Sequence, residues 1–88
     1  MTGVASLLSA ADTDFLMFTT TVCPYCNRAK AMLDSKGFSY QEHSVSSDRS
    51  LMTEVVELTG HRTVPAIWDL RGEEPRFIGG SDDLAELL

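Results

Sequence analysis

Residues 14–30, DFLMFTTTVCPYCNRAK, join an apolar run of strand length to a C-x-x-C motif whose first cysteine is followed by proline. The run 14–19 shows no polar alternation, which predicts a strand buried on both faces. Pro24 suits the first turn of a helix, where a missing N–H costs no hydrogen bond. That helix is expected to reach about Lys36, with Ala29, Met32 and Leu33 turned inward and Gly37 as its C-cap.

Further along, FSYQEHSV (38–45) reads as a second strand, and Ser47 as the N-cap of a second helix. In that helix Leu51, Val55 and Leu58 repeat at i, i+4 and i+7, and Gly60 stops it. AIWDL (66–70) and PRFIG (75–79) form two strands around the turn RGEE, hence an antiparallel hairpin with Trp68 in the core. In GGSDDLAELL (79–88) Ser81 is read as an N-cap with two carboxylates in the first turn of a short helix. The order β-α-β-α-β-β-α predicts an α/β domain. Its four-stranded mixed sheet is flanked by helices, and the first β-α-β unit is parallel and right-handed.

Eighty-eight residues make one domain. Residues 1–13 are read as an N-terminal extension and 14–88 as the domain proper. The net charge of −6 leaves no basic stripe for phosphates, so no nucleic-acid partner is expected. No segment approaches the roughly 20 apolar residues that cross a bilayer, so no membrane is expected either. The first residues lack a positive flank, and Ser6 and Ser9 interrupt their apolar run, unlike a secretory signal. A cytoplasmic monomer is the expectation. In that reducing setting a cysteine pair is catalytic or metal-binding before it is a staple.

Zinc would need further ligands, and the only other candidates, His43 and His61, lie 18 residues apart, outside finger-like spacing. No metal is expected. A structural disulfide across two residues would close too small a loop to remove much chain entropy. A redox pair remains. Cys23, at the N-cap of the first long helix, faces unpaired backbone N–H groups and the positive end of the helix dipole. Both favour thiolate, the attacking species. Cys26 lies inside the first turn on the same face, more buried and less ionised. Cys23 attacks and Cys26 resolves.

With CPYC (23–26) after a buried strand, TVP (63–65) and GGSDD (79–83), the chain resembles the glutaredoxins over about residues 14–87. Thioredoxins carry Gly-Pro between the cysteines and usually tryptophan before the first, where Val22 stands here. The resemblance implies a thioredoxin-like fold, glutathione as co-substrate, and reduction of disulfide-containing and glutathionylated proteins. It implies a cis Pro65 facing the redox motif, with Thr63 and Val64 beside it and Val64 offering its backbone to the tripeptide. Gly80, Ser81 and Asp82 would take the γ-glutamyl end, Asp82 or Asp83 pairing its ammonium group. Tyr25 would flank the glutathione channel.

Two departures stand out. Glutaredoxins usually carry lysine three residues before the nucleophile, where this chain has Thr20. Arg62, or failing that His61, is the expected replacement cation, because a guanidinium grips a carboxylate through two parallel hydrogen bonds. Family members also continue beyond the last helix. Leu7 and Leu8 are spaced to form a short extra N-terminal helix over the surface left bare. Two other readings remain open. One is a glutaredoxin-like donor to ribonucleotide reductase, reduced by thioredoxin reductase, against which GGSDD argues. The other is an iron–sulfur carrier, disfavoured by Pro24.

Overall fold

The computed structural model describes residues 3–88; Met1 and Thr2, the start of the expected extension, lie outside the described residues. The elements are α1 (Val4–Ala10), β1 (Phe15–Thr19), α2 (Pro24–Lys36), β2 (Tyr40–Ser44), α3 (Arg49–Thr59), β3 (Ala66–Asp69), β4 (Arg76–Gly79) and α4 (Ser81–Leu87). The sheet order is β2-β1-β3-β4. β1 runs parallel to β2 and antiparallel to β3, and β3 is antiparallel to β4. This is the mixed, helix-flanked sheet that the element order predicts and the thioredoxin-like fold that the resemblance implies.

β1 explains why that sheet has two cores. All five of its residues are buried, and successive side chains point to opposite faces. Leu16 and Phe18 join Ala66, Trp68, Leu51, Val55 and Val4 on one face. Phe15 and Met17 join Ile67, Ala29, Leu33 and Leu84 on the other. Trp68 is core as expected, edge-on to both Phe18 and Phe77.

Four expectations are corrected. The cap of α3 is Asp48, whose carboxylate accepts the Ser50 N–H at 3.1 Å; the Ser47 hydroxyl turns back to the Ser44 carbonyl. Leu58 is 63% exposed, because the inward seam of α3 follows the buried Leu51 and Val55 to the half-buried Thr59, at i, i+4 and i+8. Ser81 is the first helical residue and is buried, while Gly80 is the N-cap. The N-terminal helix exists, with Val4 fully buried and Leu7 and Leu8 packed on the α3 side of the sheet. The chain end is on the other side, where Leu88 packs against the α2 and α4 core. α1 therefore covers the layer opposite the chain end.

Two carboxylates lock strand ends. Asp69 receives the Arg71 guanidinium at 3.0 Å from Nε and 2.9 Å from Nη2, together with the Arg71 backbone N–H at 2.9 Å. The guanidinium also lies over the Phe15 and Phe38 rings. These Arg71 hydrogen bonds hold the Asp69 carboxyl below its ordinary value of 3.8. Glu42 is lowered likewise, first by the Thr19 hydroxyl at 2.7 Å and also by Lys30. A carboxyl depressed in the folded state stabilises above its unfolded pKa, and that contribution disappears as pH falls through the folded value. Thermal stability is therefore expected to be level above about pH 5 and to fall below about pH 4. Asp69→Asn should flatten part of that acid limb; an unchanged limb would remove Asp69 from the account.

Candidate active site

The ends of three strands meet at one rim of the sheet. β1 ends at Thr19, β3 starts after Pro65, and β4 ends at Gly79. The segments adjoining these ends, including the first turns of α2 and α4, carry the two cysteines and the residues expected to bind the ligand. Cys23 is the N-cap of α2 with Pro24 as its first residue, and its Sγ accepts the Cys26 N–H at 3.2 Å. One of the otherwise unpaired donors of the helix start is thus aimed at that sulfur. Cys23 and Cys26 form a disulfide with Cα atoms 5.2 Å apart, so the structure is the oxidised state. Cys23 retains 8% exposure and Cys26 only 1%. Both are buried, Cys26 more completely than Cys23.

The Val64–Pro65 peptide is cis, and the Val64 carbonyl oxygen lies 3.9 Å from Cys23 Sγ. Beside the disulfide runs a groove of about 700 Å³. Tyr25 borders it from α2; Arg62, Thr63, Val64 and Pro65 form one wall; Gly80, Ser81 and Asp82 form another. All eight residues expected to surround the ligand therefore line a single groove, next to the two cysteines. Thr20 also lines it, without any charge. Arg62 is exposed there, and His61 reaches the same groove.

The two candidate aspartates differ. Asp83 turns back to the start of its own helix, its Oδ2 accepting the Gly80 N–H at 2.9 Å. This is half of a capping box, since a glycine N-cap has no side chain to complete it. Asp82 points outward, where Arg28 Nη1 of α2 meets its Oδ1 at 2.7 Å. Both partners are well exposed, so the pair contributes little to stability. It nevertheless ties the redox helix to the first turn of α4. Arg28 escaped the sequence reading, because a contact across 54 residues leaves no local signal.

The apolar lining of the groove was missed as well. Val45 and Met52 line it, Val45 from the turn after β2 and Met52 from α3. Val45 is held by its N–H to the Thr19 carbonyl at 2.8 Å, which extends the β1–β2 ladder by one residue. Read from the sequence, Val45 looked like the end of a strand and Met52 fell outside the helix's apolar repeat.

A family model described as Glutaredoxin matches residues 15–73. Glutaredoxin 3 of Escherichia coli (strain K12) is 41% identical over 71 residues, 81% of each chain. A glutaredoxin of Pseudomonas aeruginosa is 42% identical over 72 residues, 82% of this chain and 81% of that one. Among solved structures, the dithiolic glutaredoxin 2-C-Grx1 from Trypanosoma brucei brucei superposes with a TM-score of 0.81 at 31% identity. That match covers 99% of this chain and 87% of the other. A buckwheat glutaredoxin–glutathione complex gives a TM-score of 0.75 at 28% identity, covering 84% of this chain and 66% of that one.

Proposed function

The chain belongs to the glutaredoxin family, and on that premise we propose that it is a glutathione-dependent thiol–disulfide oxidoreductase acting on protein disulfides and glutathione mixed disulfides. A thiol oxidoreductase is what the family and the cysteine pair support; dependence on glutathione is the further step. The observation that carries it is the asymmetric pair, with the less buried cysteine at a helix N-cap, set beside a groove large enough for a tripeptide.

In the reduced enzyme the Cys23 thiolate attacks the glutathione sulfur of a mixed disulfide, and the substrate thiolate leaves. A second glutathione thiolate then attacks the Cys23-bound sulfur. This releases glutathione disulfide, made of the substrate's glutathione and the one free glutathione consumed, and returns Cys23 to the thiolate. With a protein disulfide, Cys23 forms the mixed disulfide and Cys26 displaces the substrate thiol, leaving the intramolecular disulfide seen here. Two glutathiones reduce it. Val64 would align the tripeptide backbone, the N–H groups around Ser81 would take the γ-glutamyl carboxylate, and Asp82 its ammonium group. We assign the chemistry to residues 14–88, with 1–13 as an extension, in a cytoplasmic and therefore reducing setting.

The test follows NADPH consumption on a glutathionylated peptide, once with glutathione and glutathione reductase and once with thioredoxin reductase. Turnover in the first arm supports the proposal. Turnover confined to the second would replace it with a thioredoxin-reductase-fed donor.

Arg62 is the proposed substitute for the cation absent at Thr20. Arg62→Ala should raise KM for glutathione severalfold with little change in kcat, the pattern of lost uniform binding. Thr20→Lys in that background should restore part of the loss, and both effects should shrink in high salt. Unchanged kinetics at low salt would show that the charge was not relocated to Arg62.

A further inference from the structure

His61 occupies a position between the two walls of the groove. Its ring meets the Phe77 ring of β4 edge-on, with centroids 5.4 Å apart. Its Cε1 lies 3.8 Å from where a Cβ on Gly80 would stand, so the imidazole borders the turn before α4. Its Nε2 lies 3.2 Å from the Pro65 carbonyl oxygen and 3.3 Å from the Thr63 hydroxyl. Its own backbone N–H is anchored on the Thr59 hydroxyl, 3.0 Å away, at the end of α3. The ring is thus held by β4 and bridges the segment 63–65 to the turn at Gly80.

A carbonyl oxygen can only accept. For the Pro65 contact to be a hydrogen bond, Nε2 must carry the proton. Pro65 is buried, whereas Thr63 is exposed and can turn its hydroxyl to water. The carbonyl therefore has the greater need of a protein donor.

We propose that His61 is a positioning residue. Its Nε2–H braces the segment 63–65 against β4 and the Gly80 turn, and so sets where Val64 presents its backbone to the groove. The role rests on the reading of the groove as the glutathione site, and it differs from that of a replacement cation. A brace acts through a short directed hydrogen bond and survives salt. A cation acting on the ligand carboxylate through an exposed pair does not.

Two measurements test this. The first needs no ligand: imidazole 15N shifts of the free protein, read for the neutral ring, should show His61 as the Nε2–H tautomer. The Nδ1–H tautomer would overturn the brace. The second is kinetic. His61→Phe keeps a ring against Phe77 and removes the donor, and should raise KM for glutathione about three- to tenfold with kcat nearly unchanged, the signature of lost uniform binding. His61→Gln, which retains an N–H donor, should recover part of that loss. Both changes should persist in about 1 M salt, where screening reaches about 3 Å. An unchanged KM in His61→Phe, or an increase that vanishes in salt, would overturn positioning. If His61→Phe does not fold, His61→Gln against His61→Ala carries the same comparison. If the wild-type protein does not turn over glutathione, the proposed function fails, while the tautomer still decides whether the brace exists.

Discussion

Cys23→Ser is expected to lose all turnover, with glutathionylated peptides and with protein disulfides alike. Cys26→Ser is expected to keep the first activity and lose direct dithiol reduction of the second. The asymmetry comes from placement. Cys23 has its sulfur at the helix start, where the Cys26 N–H and the dipole stabilise negative charge, and it is the less buried of the pair. Cys26 is sealed in the first turn and meets only a sulfur already joined to Cys23. Serine cannot replace either one, because its hydroxyl neither ionises at neutral pH nor forms a disulfide. Stopped-flow assays of both variants on both substrate types check this. An active Cys23→Ser beside an inactive Cys26→Ser would reverse the roles.

Gly79→Ala should have the next largest effect, on both stability and glutathione kinetics. Gly79 has φ of +124°, a region that side chains rarely enter, and a Cβ there would collide with the Asp83 carboxylate. The backbone strain costs about 1–3 kcal/mol. Pushing Asp83 off the Gly80 N–H loses a cap of about 1 kcal/mol. Together these predict a loss of about 2–4 kcal/mol, or a Tm lower by roughly 10–30 °C in a domain of this size. Because the displaced turn carries Gly80, Ser81 and Asp82 into the groove, KM for glutathione should rise as well. Gly72→Ala is the control: nothing lies near its missing Cβ and its φ is not positive, so its Tm should stay close to wild type. Equal melting of the two variants would show that the Gly79 turn relaxes without cost.

The redox half of the site was legible because its determinants are local. A buried strand, a proline at the helix start and a cysteine at the N-cap occupy adjacent positions, and hydrophobic periodicity with helix-start chemistry places them. The same holds for Gly37 and Gly60, both left-handed caps where helices were expected to stop. Caps chosen between neighbours were less legible. Ser47 and Asp48 are both competent, and the turn that uses the Ser47 hydroxyl leaves the carboxylate to cap α3. Ser81 was misread because Gly80, one residue earlier, takes the cap position without any side chain, and Asp83 secures it by accepting the Gly80 N–H.

By itself the sequence determined the element order, the mixed sheet, the two-sided burial of β1 and the placement of the Cys23–Cys26 pair at the start of α2. Each of these follows from side-chain spacing over a few residues. The resemblance named three segments of the groove, and only the tertiary structure decided what else meets there. It paired Arg28 with Asp82 across 54 residues, lined the groove with Val45 and Met52, and set His61 between Phe77 and the Pro65 carbonyl. It also placed α1 on the face opposite the chain end. These contacts join residues distant in the chain, and their partners are chosen by how the helices and strands pack on the sheet, which no local pattern encodes.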